Sequence, residues 1–238
     1  MSAYLKNDRM NVLVSGETYH VYNRGIDGRR LFLCKGDYYR FIHDLYEFND
    51  EASVLNAKFH CSKGWLKRDE KDRKKRKLLV DILAFCLMPT HFHLMLRQRV
   101  DGGISKFMQK IGTGYARYFN TKLERKGGLF QGTYQVKLID KENYFIYLPH
   151  YIHLNPLDCL GINWREGKVD DIKKAKDFLG SYRWSSYLDY VGKKNFPSII
   201  NREIVSEIIE DAGDYKKLIE DWLADMDMTK VEGVIMEV

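Results

Sequence analysis

At 238 residues the chain is long enough for one large domain with an appended element, and a core of that size needs no disulfide staples. Hydrophobic residues at 45% and charged residues at 30% exclude a wholly disordered or fibrous chain. The net charge of +6 is spread unevenly: residues 203–238 carry eleven acidic groups against three lysines, so residues 1–202 hold a surplus of +14. Within that basic body, Lys63 to Lys77 alone carries nine basic and three acidic residues. Such a run reads either as a solvated loop or as an arm laid along nucleic-acid phosphates.

No apolar run approaches the roughly 20 residues that span a bilayer, and the first residues, MSAYLKNDRM, lack the basic-then-apolar layout of a secretory signal. A soluble, cytoplasmic protein without a membrane partner is expected. Cys34, Cys61, Cys86 and Cys159 form no close CxxC pair, which argues for reduced thiols and against a zinc knuckle.

In chain order, Glu17 to Asn23 (ETYHVYN) is aromatic and β-branched and stops at Arg24-Gly25, as a strand does before a turn. After Gly36, the spacing of Tyr38, Phe41, Ile42, Leu45 and Phe48 predicts a helix with Asp37 as its N-cap. Leu78 to Met88 is continuously apolar and predicts a buried central strand. Beyond Pro89-Thr90, HFHLMLRQ (His91 to Gln98) alternates, with Phe92, Leu94 and Leu96 on one face and His91, His93, Met95 and Arg97 on the other. Ile104, Phe107, Met108, Ile111, Tyr115 and Phe119 predict a second long helix after Gly103. Tyr134 to Ile139 predicts a further strand, and Asp140 is placed to cap a helix running from Asn143 to Asn155.

This order fits an α+β, ferredoxin-like (RRM-like) antiparallel sheet of four strands. Two helices lie on one face, one sheet face stays open, and a further helix ends the domain. Residues 1–160 form this domain, with the basic insertion at 63–77; residues 161–238 form a mostly helical accessory region whose C-terminal part is acidic.

Histidines at i and i+2 of a strand share a face, so His91 and His93 can converge on one metal ion. Alone, that pattern fits a packed strand as well as a metal site. In YIHLN, Tyr151 and Asn155 stand four apart on a helix and hence on one face. An amide oxygen suits Mg²⁺ or Mn²⁺, and a tyrosine beside a cation-bound phosphate is a nucleophile. With 16 tyrosines in the chain, core packing is the plain alternative for Tyr151, and Tyr144 and Tyr147 share much of its face.

Taken together, YHVYNRG (Tyr19 to Gly25), LMPTHFHLMLR (Leu87 to Arg97), YARYFN with GGLFQG (Tyr115 to Gly132) and YIHLNPL (Tyr151 to Leu157) resemble the IS200-like transposases of the HUH, single-tyrosine class. The likeness is nearest to the REP-associated tyrosine transposases. SYRWSSY (Ser181 to Tyr187) resembles a segment that follows the catalytic domain in that family. The resemblance implies that His91, His93 and Asn155 bind a divalent cation, Mg²⁺ or Mn²⁺, with Phe92 as spacer and Tyr151 as nucleophile. It further implies cutting of single-stranded DNA beside a hairpin, REP-like or at an insertion-sequence end, through a 5′-phosphotyrosine with a free 3′-OH. Substrate contacts are then expected from Arg24, Arg97 and Lys137 and from Arg73, Lys74, Lys75, Arg76 and Lys77 of the arm. Such a protein would sit with the bacterial nucleoid when bound. Insertion-sequence relatives form homodimers and REP-associated relatives act as monomers, and the sequence does not choose between them.

The sequence departs from the family pattern in three places. Pro149 lies inside the expected catalytic helix and should kink or restart it. His150 stands where a basic residue often precedes the tyrosine, and Thr133-Tyr134 stands where an arginine and an aromatic residue are expected. The competing reading is a non-catalytic nucleic-acid-binding protein on the same fold. A zinc hydrolase built on His91 and His93 lacks an acidic partner.

Overall fold

The computed structural model describes residues 13–52, 76–166, 169–201, 203–204 and 212–224. Most of the basic run, including Arg73, Lys74 and Lys75, lies outside the described residues, as does Cys61.

Four strands, β1 (Thr18–Arg24), β2 (Val80–Leu87), β3 (His91–Gln98) and β4 (Gln135–Leu138), form one sheet in the order β2-β3-β1-β4. Every pairing is antiparallel. With α1 (Lys35–Glu47) between β1 and β2, and α2 (Gly103–Lys122) between β3 and β4, this is the expected ferredoxin-like topology.

The two-residue period of β3 decides which side chains enter the main core. Phe92, Leu94 and Leu96 are buried and pair across to β1 at Asn23, Val21 and Tyr19. On that face Phe92 meets Phe41 of α1 at 5.1 Å, and Phe41 meets Tyr115 of α2 at 4.9 Å. The Tyr115 hydroxyl, buried with them, donates to the Leu31 carbonyl at 2.7 Å, which removes the cost of an unpaired polar group.

The termini of α1 differ from expectation. Asp37 sits in the first turn, not at the cap, because Cys34 is the N-cap residue. Its carboxylate reaches back to accept from the Leu33 and Cys34 backbone N–H groups at 2.8 and 3.1 Å. Tyr118 and Lys122 of α2 donate to its other oxygen, at 2.8 Å from Tyr118. One carboxylate thus closes the start of α1 and ties it to α2.

The expected open sheet face is covered over β2 and β3. Helix α3 (Glu142–Leu154) packs on β2 and β3, and all eight residues of β2 are buried. Apolar side chains on both sides of α3, with Leu148, Ile152 and Leu154 fully buried, require a partner on each side, and the sheet supplies one of them. Asp140 does not cap this helix: Lys141 occupies the N-cap position without a side-chain hydrogen bond. The helix also runs through Pro149 without ending or restarting there.

Residues beyond 160 close the outer edge of β2. The Leu87 N–H donates to the Trp184 carbonyl at 2.9 Å and the Ser186 N–H to the Phe85 carbonyl at 3.0 Å, so Trp184 to Ser186 lie against β2 like a short further strand. This is how SYRWSSY serves the fold: it satisfies an edge that would otherwise invite foreign strands. Around it stand α4 (Ile172–Ser181), the single turn α5 (Tyr187–Tyr190) and α6 (Ala212–Ala224). Helix α6 covers the expected acidic helix only in part, the remainder lying outside the described residues.

At the end of β1, Gly25 enters a tight turn. A Cβ there would lie 2.1 Å from the Arg29 carbonyl oxygen, which is backbone and cannot step aside. Gly25→Ala is therefore expected to destabilise the protein by about 2–3 kcal/mol, read from the denaturation midpoint in urea.

Candidate active site

The face of β3 opposite to Phe92 carries His91 and His93, and the register of β1 places Arg24 across from His91, Tyr22 across from His93 and His20 across from Met95. Antiparallel pairing therefore gathers three imidazoles from two strands. His91 and His93 stand 5.1 Å apart, nearly perpendicular. His20 stacks on His93 at 5.2 Å, and its Nε2 is 3.0 Å from His93 Nδ1.

Burial sets the charge state of these rings. His93 is fully buried and its pKa falls well below the ordinary value, chiefly through lost hydration and further through His20, His91 and Arg165. Burial lowers His20 to about 3, helped by Lys137, and His91 to about 4. All three are neutral at pH 7, the form that offers a ring lone pair to a metal.

Helix α3 brings Tyr151 down onto this cluster. Its ring meets His93 at 5.6 Å and His20 at 6.0 Å, edge-on in both cases. The other two candidate tyrosines do not converge here. Tyr147 packs on Trp222 of α6 at 5.3 Å, and the ring of Tyr144 lies under the ammonium groups of Lys141 and Lys137 at 5.0 and 5.9 Å. Tyr151 is only 2% exposed, and burial raises its pKa while Arg165 opposes that rise.

Asn155, one helical turn beyond Tyr151, is also buried. Its amide nitrogen donates to the Tyr151 carbonyl at 2.7 Å, which turns the amide oxygen outward, where it accepts from Arg165 Nη2 at 2.9 Å. Arg165 is further paired with Asp158, Nη1 to Oδ1 at 2.6 Å and Nη2 to Oδ2 at 3.0 Å, and its guanidinium lies 4.2 Å over the Trp164 ring and 5.6 Å over that of Tyr151. The sequence reading missed Arg165, Asp158 and His20. For His20 a signal existed, since it lies in YHVYNRG and alternates with Tyr22 and Arg24. Arg165 and Asp158 have no strand or helix period that points at the site.

Among the described residues no group of three or more His, Cys, Asp and Glu side chains is placed to hold a metal ion. The donor set expected here is of another kind: two imidazoles and one amide oxygen. One observation fits it to a cation. His93 Nε2 is buried beside Tyr151 without a hydrogen-bond partner, while Nδ1 is occupied by His20. If His93 Nδ1–H donates to His20 Nε2, the orphan Nε2 carries a free lone pair, with His20 fixing the ring as an outer-shell partner fixes a metal ligand.

Of the residues expected to contact DNA, Arg24, Arg97 and Lys137 border the histidine face. Arg24 is exposed and its Nε donates to Gln131 Oε1 at 2.5 Å, while Ile26 N–H donates to the Leu129 carbonyl at 2.9 Å. YHVYNRG and GGLFQG are therefore neighbours in space. Arg97 is partly exposed on the histidine face with Nε on the Gly16 carbonyl at 2.9 Å, and Lys137 pairs with His20 across the sheet. Arg76 lies away from them, its guanidinium 3.6 Å over the Tyr46 ring and its Nη1 on the Tyr46 carbonyl; Lys77 stands 3.9 Å from Glu51. His150 faces away from Tyr151, buried between Tyr215 and Trp222 at 4.9 and 5.1 Å.

Residues 69–155 match the family model described as "Transposase IS200 like". No curated protein matches the sequence. A solved structure of a REP-associated tyrosine transposase bound to a REP hairpin is similar at 14% identity and a TM-score of 0.48, over 84% of this chain and 92% of that one. No described helix is long and apolar enough to cross a membrane.

Proposed function

We propose, from the match of residues 69–155 to the IS200-like transposase model, that this chain is a metal-dependent single-stranded DNA endonuclease and strand transferase. It acts beside DNA hairpins through a 5′-phosphotyrosine on Tyr151. The observation that carries the reading is the convergence of Tyr151 from α3 on the unpartnered Nε2 of His93, with Asn155 one turn away.

His91, His93 and Asn155 would hold the cation, Mg²⁺ or Mn²⁺, and when bound it withdraws charge from the scissile phosphate and fixes its orientation. The protein's own groups do the rest. The Tyr151 hydroxyl gives up its proton as it attacks phosphorus; the bond from phosphorus to the 3′ oxygen breaks, and that oxygen takes up a proton, so no net proton is gained or lost. The number of phosphoester bonds is unchanged, so attack by another 3′-OH reverses the step and joins strands without a nucleotide cofactor. Arg24 and Arg97 border this face with positive charge suited to the flanking phosphates.

The test uses hairpin oligonucleotides with varied flanks, labelled at the 5′ or the 3′ end and incubated with Mn²⁺ or EDTA before denaturing electrophoresis. A slow-migrating protein adduct on the 3′-labelled strand is expected with Mn²⁺ and absent with EDTA. His93→Ala should lower its yield at least about 100-fold. Binding that EDTA does not change, with no adduct on any hairpin, would instead support the binding protein on the same fold, a reading that the burial of Tyr151 favours.

A further inference from the structure

Arg165 lies ten residues past the segment that matches the family model, yet its guanidinium touches both members of the Tyr151–Asn155 pair. Four contacts fix it: the stack on Trp164, the two-pronged pair with Asp158, the Asn155 amide oxygen and a hydrogen bond to the Tyr151 hydroxyl. Asp158 is itself held by the indole N–H of Trp164 at 2.7 Å. Despite this the Arg165 side chain remains 29% exposed, so a fixed cation faces solvent beside the buried Tyr151 ring.

The Asn155 contact conflicts with cation binding. On the functional reading above its Oδ1 would be the third donor for a metal on His91 and His93, and Arg165 Nη2 donates to that atom. The oxygen has two lone pairs, but a guanidinium and a divalent cation on one atom would stand a few ångströms apart and repel. Metal loading therefore weakens the hold of Asn155 on the guanidinium. The guanidinium that leaves Asn155 keeps Asp158 and Trp164 and turns a freed N–H toward the mouth of the site, where an entering phosphate supplies the acceptor.

We propose that Arg165 is a phosphate-binding catalytic residue that exchanges the Asn155 oxygen for the scissile phosphate as the site loads with metal and DNA. The proposal rests on the functional reading above. It makes Arg165 a stand-in for the cation in the metal-free protein and a second positive charge on the phosphate in the loaded one. A guanidinium serves both states because it donates in a fixed plane and keeps its charge throughout.

Two measurements on the full chain test it. The first is Mn²⁺ binding without DNA, followed by electron paramagnetic resonance of the free ion. Arg165→Ala frees Asn155 Oδ1 and should tighten Mn²⁺ binding about tenfold, while His91→Ala weakens it. The second is fluorescence anisotropy of a hairpin oligonucleotide with a single-stranded flank, in a Tyr151→Phe background with Mn²⁺. Here Arg165→Ala should weaken binding about tenfold, and Arg165→Lys, which retains the charge and loses the fork, should recover part of the loss.

A merely structural staple between the turns at 155–160 and 164–166 would lower the melting temperature and move neither affinity in these directions. If Arg165→Ala does not fold, Arg165→Gln and Arg165→Lys carry the comparison. Equal Mn²⁺ affinity in wild type and variant, or none in either, overturns the exchange; unchanged DNA affinity overturns the phosphate contact. Where the wild type still forms its Mn²⁺-dependent adduct, such a result counts against Arg165 alone. Where no adduct forms on any hairpin, the reading of the whole site fails with it.

Discussion

Tyr151→Phe is expected to abolish the covalent protein–DNA adduct, by about 10⁴-fold or more, while the protein folds and binds a hairpin as before. The ring contacts with His93, His20 and Trp164 involve only the aromatic ring, so phenylalanine keeps them. What is lost is the hydroxyl and the hydrogen bonding it supports, a cost of about 1 kcal/mol in stability. Catalysis loses its nucleophile; the Tyr22 ring also stands beside His93, at 5.9 Å, so Tyr22→Phe runs as a further control and should keep the adduct. Tyr147→Phe and Tyr144→Phe should each leave the adduct rate within about twofold, because Tyr147 is turned toward Trp222 and Tyr144 toward Lys141 and Lys137. Denaturing electrophoresis of the four variants with a 3′-labelled hairpin checks this, with thermal melting as the control for folding. An adduct that survives Tyr151→Phe and disappears in one of the others would move the nucleophile and remove the basis for the proposed site.

The strand carrying His91 and His93 was legible because a two-residue alternation has one structural meaning, and the structure gives β3 the same bounds, His91–Gln98. The long helix after Gly103 was legible for the matching reason, six apolar residues at helical spacing. Caps were less so. Asp37 and Asp140 both looked like N-caps, yet Asp37 closes its helix from the first turn and Asp140 does not cap at all, since the cap depends on backbone angles that composition only biases. The covered sheet face was missed because α3 shows its need for two partners only through the burial of Leu148, Ile152 and Leu154 together. Pro149 is expected to kink or restart the helix, and the structure shows no restart, because the tertiary packing of α3 on the sheet holds the helix through the missing backbone bond.

The site shows the same division. Local spacing pairs His91 with His93 and Tyr151 with Asn155, because each pair lies within one element. Joining the pairs depends on α3 crossing β2 and β3, and adding His20 depends on the β1–β3 register. Both are long-range facts that no short window contains. Arg165 is further from view, since it reaches Asn155 from a separate short turn, Trp164–Glu166.

Acidification from pH 6.5 toward pH 4 is expected to unfold the metal-free protein steeply. Five histidines are held neutral by burial: His20 at about 3, His91 and His150 at about 4, and His93 and His153 well below the ordinary value. In the unfolded chain each protonates near pH 6.5, so below that pH the unfolded state binds more protons and is favoured. The stability linked to these groups is therefore fully present above about pH 6.5 and is lost as pH falls toward the folded values. Each histidine contributes about 1 kcal/mol per pH unit in that window, so the five together remove about 5 kcal/mol between pH 6 and 5. A domain with a typical stability of about 5–15 kcal/mol would then unfold between about pH 5 and 4.

His150 isolates one of these contributions. Its Nδ1 is 2.9 Å from the Ile146 carbonyl, its Nε2 is buried without a partner, and its ring stacks between Tyr215 and Trp222. His150→Phe keeps the stack and removes the titration, so the slope of stability against pH should flatten by about 1 kcal/mol per pH unit below pH 6. Urea denaturation at half-unit steps from pH 7 to pH 5 measures both slopes. Parallel profiles for wild type and variant would mean that His150 is solvated and chargeable in the folded protein, and that α6 does not seal that side of the tyrosine helix.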